Sequence, residues 1–206
     1  ANLSIYRQNK FEVLAEFLGK KNIQNLYFEP VHLNFESYSN LRDKGLKLFP
    51  ADRLFVEKLR MIKEDGEIEA LEASCALNHR VFSQIQEFLR PGISEKELAW
   101  EVERLYRSQG AEELSFSTIA AFGPNAALPH AIPGDVPLKE NDLVLLDMGC
   151  RLNDYCSDQT RTFHVGSDDS RFDEVKEMVR EAQGRAIKEI KPGMEFREAY
   201  ALSRDY

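Results

Sequence analysis

Cysteine is scarce in this sequence: Cys75, Cys150 and Cys156 are the three among 206 residues. A disulfide-stabilised scaffold uses a denser and usually even set of cysteines, so this composition argues against one. Long apolar runs are missing as well, and none approaches the roughly 20 residues that a membrane-spanning helix requires. Repeats and low-complexity tracts are also absent. These absences leave a globular protein, or part of one, that is neither disulfide-rich nor embedded in a membrane.

Positive charge is also in deficit. The 27 Lys and Arg residues are outnumbered by 35 Asp and Glu residues, which gives a net charge of -8 at pH 7. Nucleic-acid-binding surfaces are basic, and this sequence contains no basic run. We therefore expect a cytoplasmic protein that has no nucleic-acid partner and no membrane partner.

Hydrophobic spacing predicts an α/β (α+β) chain with two regions. In residues 1–55 an amphipathic helix precedes strand-like segments at 25–28 and 46–49, and Pro50 with Asp52 is typical of a helix start. We place the domain boundary after residue 56, which separates residues 1–56 from residues 57–206. The first helix is predicted from the spacing of its apolar residues, Phe11, Leu14, Phe17 and Leu18.

The second region is predicted to begin with two helices. The first runs from Gly66 to a stop at Pro91 and Gly92, and Ser94 with Glu97 forms a capping box for the second, which ends at Gly110. Strands at 115–122 and 142–149 and helices at 171–191 and 195–203 follow. The apolar stripe of the long helix comprises Ile68, Leu71, Cys75, Phe82, Ile85 and Leu89, and Trp100 of the second helix is expected in the core or an interface.

Two aspartates in a predicted hairpin carry the strongest functional signal. The apolar run 143–146 and the alternating segment 159–163 predict strands joined by a turn at Leu152 and Asn153. In that register, residues whose numbers sum to 305 are opposed, so Asp147 lies across from Asp158. Like charges about 5 Å apart repel each other. A divalent cation that prefers oxygen ligands removes the conflict, so the pair predicts half of a metal site.

A structural interpretation of the same pair stays open at this point. Asp147 would then end a strand, and Asp158 would cap a turn or form an ion pair with Arg161. The tight-turn signature Asn-Gly is missing between the strands, so a longer loop is an alternative to the two-residue turn.

Other residues with reactive side chains give weaker signals. His32, His79 and His164 have no second ligand at a useful spacing, so a surface or packed role is favoured for each. Cys150 and Cys156 are predicted to be small strand fillers of the hairpin.

Three segments, in order along the chain, carry a more specific pattern. They are LRMIKEDGEI at 59–68, FSTIAAFGPNAALPH at 116–130 and DMGCRLNDYCSDQTRTF at 147–163. Together they resemble the Xaa-Pro aminopeptidase and Xaa-Pro dipeptidase family, the pita-bread metallopeptidases. The resemblance implies the first part of a pita-bread catalytic domain, preceded by the latter part of a smaller α/β N-terminal domain.

The resemblance implies roles for individual residues. Asp147 would bind one metal ion through both oxygens, Asp158 would bridge two ions, and His130 would help hold the substrate and the developing tetrahedral intermediate. Thr160 and Arg161 are predicted to orient the carboxylates, with Thr160 favoured because it shares a strand face with Asp158. The expected cofactors are two divalent ions, with manganese first and cobalt or zinc as alternatives.

The implied activity is that of a metallo-exopeptidase, a hydrolase that cleaves the bond between an N-terminal residue and proline. An Xaa-Pro dipeptidase is the first alternative. A methionine aminopeptidase follows, and then a pita-bread protein without catalysis that serves as a binding module. Proline-containing peptides are the expected substrates, and a homo-oligomer is compatible with the resemblance.

The family pattern continues with one His and two Glu ligands that are not found in this sequence. We therefore expect an internal fragment of a longer protein, which also fits a first residue, Ala1, that is not Met. Because Asp147 and Asp158 are two of five protein ligands, the fragment is expected to be inactive and to bind metal weakly at best.

Overall fold

The computed structural model describes residues 9–167 and 169–206. The chain divides into two compact units, Ala1–Glu64 and Asp65–Tyr206. The predicted boundary after residue 56 falls inside a helix, Phe55–Met61, that belongs to the first unit. The assignment of the two regions to particular domains of a larger enzyme stays a prediction.

The first unit alternates helices with two short strands. Its elements are α1 (Lys10–Lys20), β1 (Asn25–Phe28), α2 (Phe35–Asp43), β2 (Lys47–Pro50) and α3 (Phe55–Met61). β1 and β2 pair in parallel, and Leu18, Leu41 and Leu46 form the core. The sequence did not predict α2, although the Asn34 side chain accepts a hydrogen bond from the Ser37 amide at its start. The expected helix start at Pro50 and Asp52 is wrong, because α3 begins at Phe55.

The second unit combines helices with two small sheets. Its elements are α4 (Asp65–Ile85), α5 (Glu95–Ser108), β3 (Glu113–Leu114), β4 (Ile119–Phe122), β5 (Leu143–Met148), β6 (Cys150–Leu152), β7 (Tyr155–Cys156), β8 (Gln159–His164), α6 (Ser170–Glu189) and α7 (Phe196–Arg204). The strands form two three-stranded sheets, in the orders β4-β5-β8 and β3-β6-β7. Of the predicted strand at 115–122, only residues 119–122 form a strand, β4, because residues 115–118 connect β3 to β4.

The helices α4 and α5 form the core with the strands. The capping box of Ser94 and Glu97 is present at the start of α5, as predicted. The buried apolar residues include Leu77, Val81, Ile85, Leu98, Val102, Tyr106, Val144, Leu146 and Met148.

The predicted apolar stripe of α4 is wrong at two positions, because Ile68 and Cys75 are exposed. Two polar residues face the strands instead. The Ser74 hydroxyl donates to the Cys150 carbonyl at 3.0 Å, and the Asn78 amide donates to the Met148 carbonyl at 3.2 Å. These bonds satisfy buried carbonyls where β5 gives way to β6, so the buried face of α4 is rotated from the one that hydrophobicity predicts.

The hairpin register differs from the predicted one. The turn residues are Asn153 and Asp154, which both have positive φ (52° and 65°), as a two-residue turn of type I′ requires. Asp147 consequently pairs with Thr160, and residues whose numbers sum to 307 are opposed. The prediction that Asp147 directly opposes Asp158 is wrong by two positions.

Gly149 allows the long hairpin to bend between its two sheets. A Cβ atom at this position would lie 2.0 Å from the Ser157 carbonyl oxygen, a distance that no side chain tolerates. Cys150, which follows, is buried as predicted for a strand filler, but Cys156 is exposed and pairs with Arg151. In the observed register Cys156 lies opposite Arg151 instead of the predicted Gly149.

The two C-terminal helices pack mainly on each other. Asp169 caps α6 by accepting hydrogen bonds from the Arg171 and Phe172 amides. Neither described helix has a buried residue. In the described part of the chain, no helix has both the length and the apolar character that crossing a bilayer requires. Trp100 of α5 is 63% exposed, so it does not lie in the core of this unit.

Candidate metal centre

Asp147 lies on β5, on the sheet face opposite the apolar core. Strand alternation turns Val144, Leu146 and Met148 into the core and leaves Asp147 on the other face, where it is partly buried. The Thr160 hydroxyl, directly across on β8, donates a hydrogen bond of 2.7 Å to Oδ1 of Asp147. This bond fixes the orientation of the carboxylate on a rigid strand.

Asp158 lies in the short connection between β7 and β8 and is exposed. Its carboxyl group contacts that of Asp147. Burial is the largest cause of a raised pKa at Asp158, and the charge of Asp147 and the contact between the two carboxyl groups raise this pKa further. The structure thus brings the two predicted ligands together, although they are not paired in the strand register.

The arrangement of the two carboxylates suits a cation. Apart from Asp147 itself, no described residue donates a hydrogen bond to the Asp158 carboxyl group, and the Thr160 hydroxyl is the one described donor to Asp147, so the pair has oxygens available to a cation. Carboxylate oxygens are hard ligands that bind Mg²⁺, Mn²⁺ and similar ions. A divalent ion between Asp147 and Asp158 would cancel their repulsion, so these residues fit the metal that the sequence predicts.

His130 is placed in an exposed turn that follows the 3₁₀ segment Gly123–Ala127. Its imidazole makes no hydrogen bond that the structure records within residues 9–167 and 169–206. The described residues contain no group of three ligand atoms that joins His130 to both aspartates within 4.8 Å. A direct contact between His130 and the two aspartates is therefore not part of this geometry.

Arg161 lies on the opposite face of the sheet from Asp147. It pairs with Leu146, its guanidinium lies 5.7 Å from the centroid of the Phe82 ring, and it donates a hydrogen bond of 2.7 Å to the Thr160 carbonyl. Of the two residues predicted to orient the carboxylates, the structure brings Thr160 into contact with Asp147 and leaves Arg161 on the core side.

A second cluster of potential ligands lies in the first unit. Ligand atoms of Glu29, His32 and Glu57 all lie within 4.8 Å of one another. The expectation that His32 has no neighbouring ligand is therefore wrong. The sequence could not reveal this cluster, because Glu57 comes from α3 and lies 25 positions further along the chain.

The sequence matches known proteins along most of its length. The model of metallopeptidase family M24 matches residues 69–206. An uncharacterized peptidase, YqhT, of Bacillus subtilis is 38% identical over 197 residues, which are 95% of this chain and 56% of that protein. The Xaa-Pro dipeptidase of Pyrococcus furiosus is 35% identical over 206 residues, which are 100% of this chain and 58% of that protein.

Solved structures share the fold. An Xaa-Pro dipeptidase from Bacillus anthracis superposes with a TM-score of 0.86 at 38% identity, over 98% of this chain and 57% of that one. An X-Pro aminopeptidase from Thermotoga maritima superposes with a TM-score of 0.90 at 28% identity, over 98% of this chain and 57% of that one. The chain therefore spans a little more than half the length of the proteins that it matches.

Proposed function

Because the chain belongs to metallopeptidase family M24, we propose that it supplies Asp147 and Asp158 to the metal centre of a dinuclear peptidase. The proposed reaction is hydrolysis of the peptide bond between an N-terminal residue and proline. The observation that carries the proposal is the contact between two carboxyl groups on the exposed sheet face, where the pKa of Asp158 is raised. Two ionised carboxylates held together in this way repel each other, and a divalent cation would remove the repulsion.

Each side chain has a definite task in this proposal. Asp147 holds one metal ion and is oriented by Thr160, which donates to its Oδ1. Asp158, whose carboxyl group contacts that of Asp147, would supply further oxygens to the same metal centre. When bound, the ions would polarise the scissile carbonyl and activate water for its attack. We propose manganese, with cobalt or zinc as alternatives.

His130 is the proposed substrate-binding residue. Its exposed turn leaves the imidazole available, because no described protein group uses it as a hydrogen-bond partner. The imidazole would donate a hydrogen bond to the substrate oxygen on which negative charge develops, and this contact gains strength in the transition state.

The substrate class is a peptide with proline in the second position. Proline fixes φ and has no backbone N–H, so an ordinary peptidase loses a hydrogen bond at this bond. The names of the similar proteins include both Xaa-Pro dipeptidase and X-Pro aminopeptidase. The two activities cleave the same bond and differ only in whether residues follow the proline.

The test is metal-dependent hydrolysis by the full-length gene product that contains this chain. Ala-Pro-Xaa, Ala-Pro and Met-Ala-Xaa peptides are compared with and without Mn²⁺. The informative variant is Asp158→Asn, and Asp154→Asn is its matched control, because Asp154 belongs to the same hairpin but pairs with Arg151 at 3.1 Å.

We expect cleavage before proline that falls at least about 100-fold in Asp158→Asn and is unchanged in Asp154→Asn. Preference for Ala-Pro would identify a dipeptidase, and preference for Ala-Pro-Xaa would identify an aminopeptidase. Cleavage of Met-Ala-Xaa alone would replace the proposal with a methionine aminopeptidase. A folded, metal-supplied protein that cleaves none of the peptides would contradict the enzymatic proposal and favour a binding module.

A further inference from the structure

Glu95 is a buried carboxylate that the proposed metal centre does not use. It is the first residue of α5 and is 1% exposed, and it is the one carboxylate among the buried residues of the described chain. The capping of α5 does not require it, because Ser94 and Glu97 already form the capping box. Burying a charged group costs free energy unless it is paired or hydrogen-bonded, so the contacts of Glu95 need an explanation.

Three donors from distant parts of the chain surround this carboxylate. Oε1 of Glu95 accepts hydrogen bonds from the Phe122 amide and from the Asn125 side chain, both at 2.9 Å. Oε2 accepts a hydrogen bond from the Gly134 amide at 2.9 Å. No ion pair of Glu95 is recorded in the described residues, so neutral N–H groups alone stabilise its charge.

The three donors bracket the segment that carries His130. Phe122 is the last residue of β4, Asn125 lies in the 3₁₀ segment that follows, and Gly134 lies beyond His130 in the sequence. Gly134 is held a second time, because its carbonyl accepts from the Lys96 amide at 3.1 Å. One carboxylate therefore anchors both ends of residues 126–133.

The same carboxylate is connected to the strand of the candidate ligand. β4 pairs with β5, and this register sets Ile119 opposite Asp147. β4 is an edge strand in its sheet, and Glu95 provides the acceptor that the Phe122 amide lacks there. The position of the His130 segment is thus fixed relative to β5 through a single group.

We propose that Glu95 is a positioning residue, whose buried carboxylate fixes the segment carrying His130 relative to the strand carrying Asp147. The inference rests on the proposed function for the part that His130 plays toward the substrate. Glu95 itself contacts neither substrate nor metal. It acts by restricting the positions available to residues 126–133, since loops with few backbone hydrogen bonds are otherwise mobile.

A double-mutant cycle in the full-length gene product tests this role. Glu95→Gln keeps the shape of the side chain but directs an N–H₂ group toward N–H donors. We expect Glu95→Gln to lower kcat on the order of 10- to 100-fold, with a smaller change in KM, because small displacements of a catalytic group are costly. Combined with His130→Ala, the same substitution should change kcat by less than about twofold, because the two residues act as one unit.

Two further variants keep the test specific. Glu97→Gln removes a charge from the same turn of α5 without touching the His130 segment, and we expect it to leave kcat unchanged. Asn125→Ala removes one of the three donors and should lower kcat in the same direction as Glu95→Gln, but less. If Glu95→Gln lowered kcat by the same factor in the wild type and in the His130→Ala variant, the proposal would be overturned.

Amide hydrogen exchange separates this inference from the proposed function. We expect Glu95→Gln to accelerate exchange in residues 126–133 and at Gly134, and Glu97→Gln to leave these amides unchanged. A wild-type protein without peptidase activity would refute the proposed function alone, because the exchange measurement still reports on the anchoring. Unchanged exchange in Glu95→Gln would overturn the positioning role whether or not the protein is a peptidase.

Discussion

The second unit surrounds its carboxylates in two different ways, one at Glu95 and the other at Asp147 and Asp158. Around Glu95, three N–H groups point at a fully buried carboxylate. Asp147 and Asp158 instead contact each other, and in the described part of the chain the Thr160 hydroxyl is the one other donor to this pair. The first region is electrostatically complete, and the second is not.

The difference teaches where an ion is needed. A carboxylate with several N–H donors is stabilised by the protein itself, and adding a cation there would disrupt those bonds. A pair of carboxylates with free oxygens is stabilised only by protonation or by a cation. Burial of a charge therefore does not by itself favour a metal site, whereas two adjacent carboxylates with few donors form a place where a cation would be stabilising.

The largest expected effect on stability comes from removing the Glu95 carboxylate, which its N–H donors fully satisfy. Glu95→Ala leaves the donors of Phe122, Asn125 and Gly134 without a partner, which should cost about 4 kcal/mol of unfolding free energy. Chemical denaturation measures this loss. Glu97→Ala, which removes half of a capping box in the same helix, should cost about 1 kcal/mol. Equal losses in the two variants would show that Glu95 does no more than a cap.

The bend that carries Asp158 should be nearly as sensitive. Gly149→Ala places a methyl group against the Ser157 carbonyl oxygen, at a distance of 2.0 Å before relaxation. We expect a loss of roughly 3 kcal/mol, because backbone must move on both strands. Gly184→Ala on α6 is the control, since nothing lies within 4 Å of its added Cβ. A Gly149→Ala protein as stable as the control would contradict the close approach.

In the first unit we expect a substitution that raises stability, by a smaller amount. Oε1 of Glu29 and Oε2 of Glu57 are buried and have no hydrogen-bond partner. Like Asp147 and Asp158, these two carboxylates lack sufficient donors. Glu57→Gln supplies an N–H donor and should stabilise the protein by about 1 kcal/mol in the presence of a chelator. Thermal unfolding of this variant is compared with Glu36→Gln on the exposed face of α2. A loss of stability in Glu57→Gln would contradict the interpretation.

The smallest effect is a dependence on pH in the metal-free protein. Burial and then Asp147 raise the pKa of Asp158 above its ordinary value of 3.8. The folded state therefore holds this proton more tightly than the unfolded state, and stability declines as the pH rises from 3.8 through the raised pKa. Above that range the contribution is constant.

Urea unfolding at a series of pH values detects this decline. We expect the contribution to vanish in Asp158→Asn and to persist in Asp154→Asn. Superimposable pH profiles for wild type and Asp158→Asn would show that the two aspartates are not coupled.

Local sequence signals predicted much of the fold. The capping box of Ser94 and Glu97 and the stop at Gly110 defined α5 within two residues, because both depend only on neighbours. The match to family M24 and to solved pita-bread structures confirms the predicted family and fold class. The helix α2 was missed because its nine residues carry little apolar character.

The pairing of the hairpin was predicted less well, for a simple geometric reason. Placing the turn at Leu152 and Asn153 instead of Asn153 and Asp154 changes the opposed positions by two. Side chains alternate with a period of two, so this error keeps Asp147 and Asp158 on one face while replacing the residue directly opposite Asp147. The interaction between the two aspartates was therefore anticipated, although the register that suggested it was wrong.

Long-range groups could not be predicted from sequence. Glu95 has the appearance of an ordinary acidic residue in the first turn of a helix. Its donors lie 27, 30 and 39 positions away, and only the folded chain brings them together. The same holds for Ser74 and Asn78, whose carbonyl partners come from strands more than 60 residues away.

Calorimetric titration of the full-length gene product with Mn²⁺ tests the central comparison most directly. We predict binding of two ions per chain in the wild type, as a two-metal centre requires. Affinity should be retained in Glu95→Gln and weakened on the order of 100-fold in Asp158→Asn. Unchanged Mn²⁺ binding in Asp158→Asn would contradict the assignment of the aspartate pair as a metal centre.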